Sequence, residues 1–566
     1  VTGNSDEEPL QIPVATVGGG PVGLVLALLL DKHGVRSVLF NTEETTRWHP
    51  KGSSQGARTV EHFRRLGIAD NVRALGLPAD HPTDVIYFTR FGGWELARLP
   101  MPSATEKLKA IAAAPKTDQV PEPLHRANQM YVEKFLLEHV RTRPNITVRF
   151  GWRVEDFIDD GGGVTLHVIR ERDGKRETWR SVYLVGCDGG QGMVRRALGI
   201  RYAGQSLQQA YMGGRMFSTH VRVPTFARDF LRNDLGFQYW VVNPELRTTI
   251  TSVNGADEFM FWTRAKDESA EADDSVVANA MRRSTNSNIA VEVLAHHPWT
   301  AGMALVAERY GAGRVFLAGD SVHLFTPTGG FGMNTGVDDA ANLAWKLAAM
   351  VQDWGGSGLL ASYEAERKPI ALRNTGAARQ LSKNIGDIAI PPAVEENSPI
   401  GEQARRELGA VLSTCGEQYG SIGVQLGARY DGSPIVAENG APPSDDFINY
   451  TPSSVPGGRA PHFWLDDGRG FGSSLFDRLG PRFTLLRLGG KAPTASALAE
   501  ATAQAEIPFT IVDCPDNEAR DLYGCDLALI RPDQHVAWRG NVEPADPKRL
   551  LARVTGAYSW DQAHSE

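Results

Sequence analysis

VATVGGGPVGLVLALLL, Val14 to Leu30, is the stretch on which the fold turns. Ile12 to Val17 reads as a buried strand. Gly18, Gly20 and Gly23 follow in the spacing G-x-G-x-x-G, and the apolar run Pro21 to Lys32 predicts a helix. Ser37 to Phe40 then predicts a second strand. In such a βαβ opening the glycines allow a tight turn, close approach of backbone to a pyrophosphate, and close helix–strand contact. Pro21 and Val22 stand at the helix N-terminus, whose free N–H groups and partial positive charge attract phosphate. An acidic residue about 20 positions on usually binds the ribose. Here the strand end carries Asn41, with Glu43 and Glu44 just beyond, and the sequence leaves open which of them does so.

Working outward, GARTVEHFRRLGI reads as an amphipathic helix with Arg58 at its start, where a guanidinium can reach a phosphate. Ala127 to Val140 predicts a helix carrying Gln129; Ile146 to Val154 and Val164 to Ile169 predict strands. In SVYLVGCDGGQGMVRRALGI a strand, Tyr183 to Gly186, ends in Asp188–Gly189, which puts a carboxylate at a sheet edge. From about Arg201 to Thr300 short alternating strands such as FQYWVVNP predict an inserted, mainly antiparallel sheet. Val315 to Ala318 then restores the first pattern, followed by GDSVHLFTPTGGFGMNTG, Gly319 to Gly336, and a helix from Val337 to Val351. Past a Pro-rich stretch, 390–398, Glu402 to Tyr419 predicts one helix. After Arg459 the order strand, helix, strand, helix, strand, strand, helix describes a small α/β unit.

The chain has 566 residues, enough for about three or four domains or subdomains. With 42% hydrophobic and 22% charged residues it is ordinary for a globular protein. A net charge of −8 gives no reason to expect nucleic acid or an anionic membrane as partner. Four cysteines without CxxC or zinc spacing exclude a disulfide scaffold and suggest neither a metal site nor thioredoxin chemistry. The polar first residues are unlike a signal peptide, and LVLALLL is far shorter than the ~20 residues that span a bilayer, so a cytoplasmic protein with no membrane span is expected.

Three motifs stand in order: GGGPVG at 18–23, CDGGQGMVR at 187–195 and GDSVHLFTPTGGFGMN at 319–334. This set resembles the group A flavoprotein monooxygenases, the aromatic hydroxylases with a p-hydroxybenzoate hydroxylase fold. GRVFLAGDSVHLFTPTGGFGMNTGVDDAANLAWKLAAM, with SYEAERKP after it, is similar to the phenol and dichlorophenol hydroxylase branch, which carries a thioredoxin-like C-terminal domain. The resemblance implies an α/β chain with a discontinuous Rossmann-like FAD-binding domain (1–88, 120–200, 302–390). It further implies a substrate domain (89–119, 201–301), a helical linker (391–445) and a thioredoxin-like domain (446–566).

It also implies residue roles. Gly18, Gly20 and Gly23 meet the FAD pyrophosphate, Arg58 contacts phosphate, and Gln129 lies near the ribityl chain. Asp188 serves FAD and NADPH, although Gly192 stands where the family usually has serine. Gly319 and Asp320 hold the ribityl hydroxyls. A carboxylate suits that task, and glycines such as Gly330 and Gly332 let backbone pass close to a flat ring. The helix start at Gly332, Met333 and Asn334 offers N–H groups to the electron-rich end of the flavin.

The implied reaction uses FAD, NADPH or NADH, and O2 to hydroxylate a small phenolic or related aromatic substrate through a flavin hydroperoxide, in a homo-oligomer. A base near the substrate hydroxyl would help; His49, Tyr239, Asn243 and His323 are candidates, each with a structural role as its rival. Tyr239, Trp240, Phe325 and Pro327 are expected to line the pocket. A disulfide reductase would need a redox cysteine pair, and a simple dehydrogenase would not need the late Gly-Asp motif. An oxidase, a monooxygenase of a non-phenolic intermediate, or a non-catalytic flavin-binding protein remain as alternatives.

Overall fold

The computed structural model describes residues 8–117, 120–206, 214–232, 234–264, 273–301, 303–465 and 473–558. The expected domain limits at 119 and 566 therefore fall outside the described residues. Leu10–Val17 and Pro21–Lys32 form the expected strand and helix, and Ser37–Asn41 the next strand. Apolar residues occupy nearly every position of the helix, and all of Val22 to Leu30 is buried. This central helix lies inside the domain, with no polar face toward water.

The first sheet places Leu10–Val17 between Ser37–Asn41 and Arg176–Gly186, with Ile146–Phe150 and Val315–Leu317 outside them. All four junctions between these neighbours are parallel. Val17 pairs with both Gly186 and Phe40, and Gly186 pairs with Leu317. Four strands thus end level, and the residues at or just after their ends (Gly18, Asn41, Asp188 and Asp320) are brought to one rim. Ligands of open α/β sheets bind there, outside the carboxyl ends of the strands. Long-range register explains how motifs 300 positions apart can share one site.

The second sheet has seven strands in the order Glu292–Ala301, Gly214–Arg222, Glu258–Arg264, Arg247–Ser252, Gln238–Val242, Val85–Phe88, Glu95–Leu99. It is antiparallel except where Gln238–Val242 runs parallel to Val85–Phe88. Val85–Phe88 had been expected inside the first domain, to residue 88. It pairs instead into the inserted sheet, because its buried apolar residues need partners on both sides. Alternation then sorts the sheet's two faces. Tyr239, Val241, Ile250, Phe259 and Phe261 pack outward with Val277 and Met281 of helix Asp274–Thr285. Gln238, Trp240, Thr251, Met260 and Trp262 face the nucleotide-binding domain.

The last unit has strands ordered Phe509–Cys514, Phe483–Leu488, Leu527–Ile530, Val536–Gly540, the first pair parallel and the others antiparallel. With helices Ser496–Gln504, Asn517–Tyr523 and Pro547–Val554 this is thioredoxin-like. Cys514 and Cys525 are buried and free, and burial pushes the Cys525 thiol up to about 11 and the Cys514 thiol to about 12. Neither is a nucleophile near neutral pH. The expected single helix over 402–419 is broken: Pro399–Ser413 is helical, and a 3-10 turn and a short helix Glu417–Gly420 follow.

Candidate active site

One cavity of about 1300 Å³ runs from the rim of the parallel sheet to the inward face of the second sheet. Its floor is the glycine turn. Gly18 has φ +112°, and a Cβ there would lie 2.2 Å from the Cys187 carbonyl oxygen; a Cβ at Gly23 would lie 2.0 Å from that of Gly18. Only glycine fits either place. A Cβ on Gly20 would meet no protein atom within 4 Å. That space, at the N-terminus of helix Pro21–Lys32, has the shape and the free N–H groups that a pyrophosphate needs. Asn41 Oδ1 accepts from the Gly19 N–H at 3.1 Å and its Nδ2 donates to the Glu43 carbonyl at 3.0 Å. Glu43 pairs with Arg47 at 2.7 Å at the cavity edge.

Asp320 lies in a 3-10 turn, Gly319–Ser321, beyond strand Val315–Leu317. Its carboxylate opens onto the cavity and has no protein hydrogen-bond partner among the described residues. The surrounding walls desolvate it and push its pKa up, while His323 and Lys51 oppose that shift. An acceptor so placed suits sugar-alcohol hydroxyls. Asp339, unremarked in the sequence reading, fixes the turn: Oδ2 accepts from the Gly319 N–H at 3.1 Å and meets His323 Nε2 at 2.7 Å, and Oδ1 accepts from Arg367 Nε at 2.8 Å. His323 is therefore a buried brace outside the cavity wall.

Beyond the turn, Phe325 to Met333 line the cavity, and helix Phe331–Val351 begins there from Gly330, which is left-handed. Gly330, Gly332 and Met333 face the space as expected, as does Pro327. Asn334 turns away. Its Nδ2 donates to the Ser54 and Gly330 carbonyls at 3.0 and 2.7 Å, and its Oδ1 accepts from the Gly56 N–H and the Thr59 hydroxyl at 2.8 and 2.6 Å. Asp188 caps the short helix Met193–Ala197 by accepting from the Val194 N–H at 2.9 Å, and accepts from the Ser321 hydroxyl at 3.1 Å. A Cβ at Gly192 would stand 2.0 Å from that carboxylate, so this side-chain position excludes the family's serine. Gln129 lines the cavity and donates to Glu133 at 2.5 Å.

Arg58 does not reach the cavity. Its guanidinium donates to Glu61 at 2.8 Å, to Gln534 at 2.9 Å and to the Asp533 carbonyl at 2.7 Å, at the junction with the C-terminal unit. Arg126 is a cation that does face the cavity, as Arg47, Lys51 and Arg195 also do. It is buried, lies 4.3 Å above the Phe237 ring, and donates through Nη1 to Ser54 Oγ; its Nε and Nη2 have no partner among the described residues. An unpaired buried cation is costly, so the site is complete only with a polar or anionic group beside it. The signal for it lay in HRANQ, three positions before Gln129, but pairing of Ser54–Gln55 with His125–Arg126 was needed to see it.

At the far end, His49, Ser218, His297, Trp240, Met260, Trp262 and Tyr419 line the space. Two other sequence candidates lie elsewhere. Tyr239, next to Trp240, points to the opposite sheet face and exchanges hydrogen bonds with Gly236. Asn243 Oδ1 caps a turn by accepting from Glu245 and Leu246 N–H groups at 2.9 and 2.8 Å. The glycine turn, Asp320, the Gly330–Met333 backbone and Arg126 together fit an FAD.

Comparison with known proteins agrees. Residues 11–378 match the FAD binding domain family, and residues 453–557 match the aromatic-ring hydroxylase C-terminal family. The chain is 32% identical to the FAD-dependent monooxygenase apdD of Emericella nidulans, over 96% of this chain and 90% of that one. It is 26% identical to a phenol 2-monooxygenase of a Pseudomonas species, over 96% and 92%. Among solved structures, RebC with bound 7-carboxy-K252c superposes with a TM-score of 0.87 at 32% identity, over 97% of this chain and 100% of that one.

Proposed function

The chain belongs to the FAD-dependent aromatic-ring hydroxylases, and on that premise we propose that it hydroxylates a phenolic substrate of more than one ring, held against Trp240 and Trp262, at the expense of NAD(P)H and O2. The observation that carries this reading is the continuity of the cavity. One space of about 1300 Å³ contains both the nucleotide rim and the aromatic sheet face. A pocket for one drug-sized ligand measures about 300–1,000 Å³, so this space is larger than a single such ligand requires.

When bound, the flavin supplies the redox chemistry that delivers one atom of dioxygen. The chain's own residues do the rest. Gly18, Gly20 and the helix N-terminus receive pyrophosphate, and Asp320 accepts from ribityl hydroxyls. The Gly330–Met333 segment and Arg126, which line the cavity, would hold the flavin's ring system. The aromatic wall orients the substrate ring and displaces water, which would otherwise divert the reduced oxygen to hydrogen peroxide. Dependence on NAD(P)H fits a cytoplasmic enzyme.

The test is turnover of phenol, 1-naphthol and 1-hydroxyanthraquinone by FAD-loaded protein under labelled dioxygen, with NADPH and with NADH. One labelled atom in the product, and a higher kcat/KM for the fused rings than for phenol, is the expected result. Recovery of all oxygen as hydrogen peroxide with every phenol would support the oxidase alternative instead.

A further inference from the structure

The far end of the cavity holds a histidine pair that the cofactor rim does not use. His297 lies on strand Glu292–Ala301 directly across from Ser218 on Gly214–Arg222, and both face the cavity. Their neighbours His296 and Thr219 point to the other side, where His296 meets Asp274 at 2.9 Å. His49, from the loop after the ribose strand, reaches over this edge. Its ring centroid is 5.2 Å from that of His297, and its Nε2 is 3.4 Å from Ser218 Oγ. Lys51, two residues on, also lines the cavity and makes no ion pair among the described residues.

Resting on the hydroxylase reading above, we propose that His49, backed by Ser218 and His297, takes the proton from the substrate's ring hydroxyl, and that Lys51 stabilises the phenolate left behind. The balance is simple. The phenol O–H bond breaks, its electron pair stays on the phenolate oxygen, and the proton joins His49. In the tautomer with Nε2–H donating to Ser218 Oγ, Nδ1 carries the accepting lone pair. The Nε2 proton then leaves past Ser218 and His297 to water. A phenolate is the more electron-rich ring, so this step favours hydroxylation.

The charges around the pair suit this work. Burial, then His297, His220, Lys51 and His296, push His49 down to about 4. Burial, then Lys51 and Arg47, push His297 down. Glu258 is occupied by His220 at 3.0 Å and Asp274 by His296, so each of these carboxylates already has a histidine N–H partner other than His49. Both imidazoles are neutral and able to accept at pH 7. A base this weak holds the proton only briefly, so the step relies on Lys51 to hold the phenolate, the anion that the same cationic surroundings favour.

The experiment compares wild-type, His49→Gln and His297→Gln holoenzymes, checked for full FAD content, with whichever of the three phenols above the wild type hydroxylates. Labelled product is measured from pH 6 to 9.5. General acid–base catalysis contributes roughly 10²–10⁴-fold, so His49→Gln should lose about 10²-fold at pH 6.5. It should regain activity as pH nears the substrate's own pKa, roughly 10 for a simple phenol. His297→Gln should show a smaller loss of the same pH dependence. Added imidazole should restore His49→Gln, and a phenol already ionised by electron-withdrawing substituents should be insensitive to the change. Activity equal to wild type in both variants, or a loss that pH and imidazole do not relieve, would overturn the proposal. If wild type labels none of the phenols, the hydroxylase reading itself fails; if it labels one and the variants match it, only the relay fails.

Discussion

The cavity and the junction between the nucleotide-binding and C-terminal units are both rich in charge, and they treat it in opposite ways. In the junction Arg531 donates to Glu366 at 2.6 and 2.9 Å and pairs with Asp533; Lys346 donates to Glu366 at 2.7 Å. Arg367 binds Asp338 at 2.6 Å and Asp339 at 2.8 Å, and Arg459 clasps Glu61. All of these groups are buried. Beside them Trp345 and Trp354 share an apolar core with Phe483, Leu485 and Leu551 of the C-terminal unit. In the cavity, among the described residues, Arg126 keeps two unpartnered nitrogens and Asp320 an unpartnered carboxylate. Charges satisfied by the chain hold the architecture; charges left open are available to a ligand. By this test Arg58 is architectural, and the C-terminal unit is a fixed part of the helix that begins at the flavin loop.

The contrast breaks if junction and cavity substitutions behave alike. The largest effect is expected for Arg531→Met. It strands Glu366 and Asp533 without their main cation, and loss of one partner from a buried pair costs about 3–5 kcal/mol. Urea unfolding of the FAD-loaded protein measures it. Unchanged stability would mean that the junction is not what holds the two units together.

Acid should act next, and on the architecture. Burial pushes His33 down to about 3 and His125 to about 4. Below the ordinary value near 6.5 the unfolded chain therefore binds protons that the folded chain does not. Stability is unaffected by these groups above that pH and falls as pH drops from about 6.5 towards 4, by up to roughly 3 kcal/mol per histidine. Melting temperature against pH reads the slope, and His125→Gln should flatten it.

Asp320→Ala should do the reverse of Arg531→Met. One lost charge-assisted hydrogen bond is worth about 1.5–3 kcal/mol, so FAD affinity should fall roughly ten- to a hundred-fold. The apoprotein should be no less stable, because a desolvated carboxylate is removed. Equal FAD affinity in parent and variant would sink the assignment. The smallest effect is expected for Cys514→Ala with Cys525→Ala. Hydroxylation should persist, because neither thiol ionises at pH 7. Loss of turnover in folded, FAD-loaded protein would reveal redox work in the tail.

Much of this was legible because local chemistry and fold coincide. G-x-G-x-x-G between a strand and a helix has few other meanings, and Asp320 after Val315–Leu317 is read in the same way. The errors share a cause. Tyr239 and Trp240 were both expected in the pocket, yet adjacent residues on a strand point to opposite faces. Arg58, His323 and Asn334 lie close to the right motifs, but their partners, Glu61 and Gln534, Asp339, and Gly56, set where they point.

The sequence by itself determined the three glycine-rich motifs, two of them with a carboxylate, their order along the chain, and the strand–helix pattern that turns them into a nucleotide-binding rim. These depend on contacts between near neighbours and on backbone freedom that only glycine has. The tertiary structure alone decided which charges would be spent on the protein and which left for ligands. A guanidinium is satisfied by whatever carboxylate or carbonyl the fold brings within about 3 Å. For Arg58 that partner, Gln534, lies 476 positions away; for two nitrogens of Arg126 the described chain provides none.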